Sequence, residues 1–214
     1  MSFSLNEVEA TAKRATRGAG YSWGLAEEAS KATRWLCANG FDGAGTLARL
    51  LDQTDAVPKE DLSVQSIAAD WTSSTGQICP LIAGATLADS AAQMGAQGVV
   101  MHNVLHPAFV LPFAAAAAKS VNHALSVNWD GQAIVCDATG LCDADAEMAS
   151  TTPVAKHLTV TLGGSVQSPL PKVTRATPNA TDWAVLNRFA HRTFAPATDA
   201  SRLLGAGAGV SDND

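Results

Sequence analysis

Apolar residues recur at helical spacing from the start of the chain. In SLNEVEATAKRATRGAG, Leu5, Val8, Ala12 and Ala15 fall on one face, as a helix with one buried side requires. Ser4 followed by Glu7 fits a capping box, Glu9 and Lys13 stand four apart as an ion pair, and Gly18 and Gly20 mark the close. Ser22 caps a second helix whose face is Leu25, Ala29, Ala32 and Leu36, with Glu27 and Lys31 opposite, Trp35 towards the polar flank and Asn39-Gly40 as the stop. A third, shorter helix follows Asp42 and carries Leu47, Leu50 and Leu51. Residues 1–54 therefore predict a three-helix unit.

The stretch DQTDAVPKED reads as a connector, and residues 62–214 predict an α+β part that makes one compact domain with the first unit. In ALSVNWDGQAIVCDA, Asp130-Gly131 is the preferred two-residue hairpin turn. Counting outward pairs Trp129 with Gln132, Val127 with Ile134, Leu125 with Cys136 and His123 with Ala138, which makes one face apolar. KHLTVTL adds a strand with Leu158, Val160 and Leu162 inward. Near the end, Thr181 or Asp182 caps a helix with Leu186, Phe189, Ala190 and Thr193 on one face and Arg192 near its end. A short final helix runs from Pro196 or Thr198 to Gly205. The expected fold is α+β, with helices from both chain ends packed on a mainly antiparallel sheet.

Composition narrows the function. Apolar residues are 47% of 214 and charged ones 16%, as in a globular domain, and the net charge is -6. No cluster of bases offers a phosphate-tracking surface, so nucleic acid is excluded as a partner. The opening MSFSLNEVEATAKR lacks the apolar run of a signal peptide. The most apolar stretch, from Gly98 to Ala118, carries His102, Asn103, His106, Pro107 and Pro112, which suits a buried segment rather than a membrane span. The four cysteines include no C-x-x-C pair and read as reduced. The expected location is the cytoplasm.

Candidate chemistry is sparse. His102 and His106 have the spacing of two imidazoles on one helix, but Asn103 stands where a zinc protease needs Glu, and His123, the available third ligand, is turned towards the core by the hairpin register. No metal is expected. Cys136 faces Leu125 inside the hairpin, and Cys142 lies among Asp137, Asp143 and Asp145, so neither suits a catalytic nucleophile. Asn179-Ala180-Thr181 is a sequon without an export signal, and Thr181 is better used as a cap. GATLADSAAQMGAQG lacks the order of a phosphate loop and reads as tight packing.

The ending LLGAGAGVSDND poses a separate question. Gly205, Ala206, Gly207, Ala208 and Gly209 follow a helix rather than lead into one, so they form no nucleotide loop. Gly207 and Gly209 exceed what capping needs, and suit backbone lying close against another surface. Asp212, Asn213 and Asp214 make an acidic tip that basic side chains would have to meet, with Arg192, Arg202 and Arg175 the candidates.

The segment from Trp183 through RTFAPATDASRLLGAGAGVSDND, with SLNEVEATAKRATRGAGYSWGLAEE, resembles an uncharacterised bacterial family of Ala-rich proteins, a domain of unknown function, ending in GAGAG-x-x-DND. That resemblance implies no activity. A weaker one covers the first 50 residues or so. The layout of helix, Ala-Gly turn, helix and G-x-D-S-H-G-x-x-R-L in the non-Rossmann malate and L-lactate dehydrogenases is similar to AGYSWGLAEEASKATRWLCANGFDGAGTLARLL. Where that motif has its catalytic His, this chain reads Asp42-Gly43-Ala44-Gly45. The resemblance implies a former cleft at Asp42 and Arg49 without the general acid, and helix caps explain the same residues.

The leading expectation is binding of a small metabolite, or an enzyme acting on an anionic small molecule, with its site at Arg192, Arg202, Gly207, Gly209, Asp212 and Asp214. The alternative is a non-catalytic subunit whose C-terminal arm engages a partner chain, a second copy in a homodimer included. A degenerate relative of the dehydrogenases is the third. The residues name no cofactor.

Overall fold

The computed structural model describes residues 1–68, 70–140 and 142–194. Ser2–Ser4 lead into α1 (Leu5–Gly18) through the expected capping box. Ser4 Oγ accepts from Glu7 N at 3.2 Å, and Ser4 N donates to Glu7 Oε2 at 2.7 Å. Ser22 caps α2 (Trp23–Ala38) through Leu25 N, and Asp42 caps α3 (Gly43–Thr54) through Gly45 N. Ala29, Ala32, Leu36, Leu47, Leu50 and Leu51 are buried as the periodicity requires, while Leu25 is only half-buried.

Glu9 and Lys13 do not pair with each other. They reach across to α2 instead, Glu9 to Arg34 at 3.0 Å and Lys13 to Glu27 at 3.5 Å. The small residues Ala12, Ala15, Ala29 and Ala32 on the buried faces let the two helices approach until cross-helix partners lie within reach.

The N-terminal helices are joined by one from far along the chain. Helix α7 (Ala180–His191) buries Leu186, Phe189 and Ala190 and packs against α1 and α3. Its contact with α1 depends on Gly18, where a Cβ would overlap the Phe189 carbonyl oxygen and lie 2.8 Å from its carbon. The cap is Asn179, whose Oδ1 accepts from Asp182 N at 2.8 Å, and neither Thr181 nor Asp182 as the sequence suggested. Asn179 has the extended backbone that an N-cap needs, and Ala180 is already helical. A two-stranded ribbon closes this end. In it β1 (Phe3–Ser4) pairs with a later strand at Arg175–Ala176, and Phe3 stacks on Trp183 with ring centroids 3.9 Å apart.

The apolar run from Gly98 to Ala118 is buried, as expected, but holds three elements. A strand, β2 (Val99–Leu105), passes through a 3-10 turn at Pro107–Val110 into α5 (Leu111–Val121). Helix α4 (Pro80–Ser90) lies against α5, and Gly84 is the point of closest approach, since a Cβ there would overlap the Phe113 ring. Gly84 thus serves packing, whereas Ala92, Gly95 and Ala96 at the far end of that stretch are exposed.

The sheet is antiparallel. Strands β3 (Leu125–Trp129), β4 (Gln132–Cys136), β5 (Cys142–Asp143) and β6 (Val154–Leu162) join β2 in the order β2-β6-β3-β4-β5. The hairpin register holds from Trp129↔Gln132 to Leu125↔Cys136, and Asp130 and Gly131 both have positive φ (48 and 80), the geometry of a type I′ turn. Two expectations fail at the ends of strands. His123 is exposed rather than on the core face, because Asn122 ends α5 in the left-handed conformation and the ladder begins only at Leu125. Leu158 and Val160 are fully buried, but Leu162 is 42% exposed at the last position of β6. No helix among the described residues is long and apolar enough to cross a membrane.

Candidate functional site

The polar groups that converge in this fold do so at the start of α3. Asp42 Oδ1 accepts from Gly45 N at 3.0 Å, which leaves Oδ2 facing the Arg49 guanidinium about two turns on. Arg49 Nη1 donates to Asp182 Oδ2 at 3.2 Å and Nη2 donates to Thr46 Oγ1 at 3.1 Å and to the Ser150 carbonyl at 3.3 Å. Both contacts from Arg49 to Asp42 are long, 3.4 Å. The cationic edge towards Asp42 is therefore only loosely filled.

Three distant segments supply these groups. Asp42 and Arg49 come from α3 and its cap. Ser150 comes from α6 (Ala146–Thr151), whose Asp145 cap accepts from Met148 N at 3.0 Å. Ser150 Oγ accepts from Asp42 N at 3.1 Å and so ties α6 to the α3 cap. Asp182 comes from the first turn of α7, where Asn179 Nδ2 also donates to it at 2.7 Å.

Two carboxylates on one guanidinium would leave excess negative charge, but each lies at a helix N-terminus, whose dipole favours an anion. Gly45 makes the arrangement sterically open. A Cβ there would overlap Asp42 Oδ2 and lie 2.6 Å from Asp182 Oδ2. Asp182 is the enclosed member, with a side chain 14% exposed against about 40% for Arg49 and Asp42.

Two cavities of about 450 Å³ each meet at Asp42 and Gly40, within the usual size range of small-molecule sites. One is walled by Arg49, Glu147, Ser150 and Thr151. The other runs along Phe41, Ala44 and the strand β7 (Arg175–Ala176) to Asn179. Its Arg175 donates to Ser2 Oγ at 2.7 Å and to the Ser2 carbonyl at 2.8 Å.

His106 lies nearby in effect. It sits between β2 and the 3-10 turn, 5% exposed and with φ of 40, and burial followed by the Arg49 charge pushes its pKa down to about 4. His102 lies within β2 and is half-buried. Its Nε2 is 3.1 Å from Asp70 Oδ2, and its ring meets His157 edge-on at 4.9 Å. The strand separates the two histidines that the sequence spacing would bring together on a helix. Among the described residues no group of three or more His, Cys, Asp or Glu side chains is placed to hold a metal ion.

Of the residues expected to form a site at the C-terminal end, Arg192 is paired with Asp55, Nη2 to Oδ2 at 2.9 Å, and lies 4.5 Å from the Phe189 ring centroid. That bond holds the Asp55 carboxyl below its ordinary range. Arg192 lines neither cavity. Arg202, Gly207, Gly209, Asp212 and Asp214, and the helix expected to end at Gly205, lie outside the described residues. Sequence reasoning reached Asp42 and Arg49 through resemblance. It missed Asp182, Ser150 and Glu147, whose only signal was a place in the first turn of a helix or on a short one.

Residues 3–79 match the model of a family described as protein of unknown function (DUF3726). No curated protein and no solved structure matches the chain. The matched stretch includes Asp42 and Arg49 and stops well before Ser150 and Asp182.

Proposed function

We propose that this protein binds a small polar metabolite bearing a carboxylate, in the cleft where the two cavities meet at Asp42. The observation that carries this reading is the convergence on Arg49 of polar groups from three distant segments, with the guanidinium contact to Asp42 left at 3.4 Å. A ligand carboxylate on that edge replaces a weak contact with a paired, charge-assisted one. Asp42 and Glu147 then accept from a ligand hydroxyl or ammonium, and the Ser150 and Thr151 hydroxyls complete the polar wall. The positions of Asp42 and Arg49 also support the older-cleft idea drawn from the non-Rossmann dehydrogenases, which makes a nicotinamide nucleotide a necessary member of any ligand panel.

The test is calorimetric titration with 2-hydroxy acids, amino acids, dicarboxylates and a nicotinamide nucleotide. At least one carboxylate should bind. Arg49→Met should weaken it by about tenfold or more, the value of a charge-assisted hydrogen bond, while Arg192→Met leaves it unchanged. Loss of binding in Arg192→Met but not in Arg49→Met would move the site to the end of α7. If nothing in the panel binds and Arg49→Met only destabilises, the network is a clasp between α3 and α7 and the reading fails.

A further inference from the structure

Cys136 and Cys142 are opposite each other in the β4–β5 ladder, with Sγ atoms 3.8 Å apart. Directly opposed antiparallel residues have Cα atoms about 4.5 to 5.5 Å apart, inside the range of about 4.4 to 6.8 Å that a disulfide bridges. The ladder therefore places the two backbones at a spacing a disulfide spans. We infer that Cys136 and Cys142 form a reversible intramolecular disulfide when the protein meets a small-molecule disulfide oxidant. This inference is independent of what the cleft binds.

Both thiols are fully buried, at 0% and 1% exposure, so reaction requires a local opening. The fold supplies one. β5 has two residues and forms the edge of the sheet, so Cys142 is released by breaking a short ladder together with the bonds from Gln167, Ser168 and Leu170 to Asp143 and Cys142, whereas Cys136 is held in the hairpin under α5 and its thiol approaches the Leu111 carbonyl at 3.8 Å. The hydrogen bond to the Cys142 thiol, and then burial, also keep the Cys136 thiol well above its usual pKa.

The order of events follows from this. Opened Cys142 loses its proton and its thiolate attacks one sulfur of the oxidant RSSR, forming Cys142–S–S–R and expelling RS⁻, which takes up a proton. When β5 closes again, Cys136 sulfur attacks Cys142 Sγ, passes its proton to the departing sulfur and releases a second RSH. The sum is two cysteine thiols and RSSR giving one cystine and two RSH.

Closure has a structural consequence. The Asp143 carboxylate accepts from Gln167 N and Ser168 N, both at 3.0 Å, and the Cys142 carbonyl accepts from Leu170 N at 2.9 Å. Two residues beyond Asp143 stands Asp145, the cap of α6, and α6 carries Glu147, Ser150 and Thr151 of the cavity wall. The disulfide therefore fastens the strand from which that wall hangs.

The experiment treats the native full-length protein with glutathione disulfide, alkylates, and reads intact mass, peptide map and hydrogen exchange. Two of the four thiols should become unreactive, the mass before alkylation should fall by about 2 Da for two hydrogens, and a peptide should link Cys136 to Cys142. Dithiothreitol should restore both thiols, and exchange at residues 146–151 should slow severalfold in the oxidised form. Neither Cys142→Ser nor Cys136→Ala should form any internal cross-link. Recovery of both cysteines as free thiols after the native protein has been oxidised, a stable glutathione adduct in place of the cross-link, or a cross-link involving Cys37 or Cys79 would overturn the inference.

Discussion

Among the described residues two helix contacts are bridged by ion pairs, and they are built differently. Between α1 and α2, Arg34 meets Glu9 and Lys13 meets Glu27, with side chains 34% to 53% exposed and solvent free to replace either partner. Between α3 and α7, Arg49 joins Asp42 and Asp182 over a glycine, with Asp182 only 14% exposed and cavities on either side of Asp42. Exposed pairs of the first kind contribute little. The second kind fixes the direction of a guanidinium, which is what a binding site needs. Charge pairing by itself therefore says less about function than the space around the pair.

The heaviest blow falls on the core that both contacts share. Leu36 is fully buried, and Leu36→Ala is expected to cost about 2 to 5 kcal/mol in denaturant unfolding. A loss well below that would mean the α2 face is not part of the common core and would separate the two contacts.

Next comes acid. His106 has a folded pKa of about 4 against an ordinary 6.5, so below pH 6.5 the unfolded chain binds a proton that the folded one refuses. Stability is fully present above pH 6.5 and falls as pH drops to about 4, by up to about 3 kcal/mol. His106→Gln should flatten urea midpoints in that window. Arg49→Met should narrow the window from below, because removing the guanidinium relieves part of the depression. No change in Arg49→Met would detach His106 from the α3–α7 cluster.

Gly45→Ala separates packing from propensity. Alanine gains up to about 1 kcal/mol in a helix, while forcing Asp42 and Asp182 aside costs about 1 to 3 kcal/mol. A net loss is expected, with ligand binding reduced alongside. The smallest effect belongs to Arg34→Ala, expected to cost about 1 kcal/mol or less and to shrink further in salt. If it exceeded Gly45→Ala, the comparison of the two contacts would be reversed.

Much of the helical half was legible because its signals are local. Ser4 and Glu7, Ser22, and Asp42 each cap a helix within three residues, and Asp130-Gly131 sets the hairpin register within the same loop. What was missed is set by distant partners. Asp182 is an ordinary first-turn acid until α7 lies across α3. The stretch from Gly98 to Ala118 is uniformly apolar, so periodicity cannot divide it, and its opening becomes a strand because β6 pairs along it while Trp71 and Ile78 form bridges to Met101 and Val104. Around Asn179 several residues can cap a helix, so the sequence favours Thr181 or Asp182, and only the extended backbone of Asn179 decides.

The seating of α7 against Gly18 also bears on how the molecule is made. Helices α1 to α3 leave a synthesising ribosome before α7, and the partner of Arg49 follows 133 residues later. Until it arrives, the surface that Leu186 and Phe189 will cover stays open on the nascent chain, and Asp42 faces its cation alone. Early completion is ruled out by this order of appearance. A fragment limited to residues 1–79 is expected to collapse loosely and to acquire cooperative unfolding only when α7 is supplied, in the same chain or as a separate peptide.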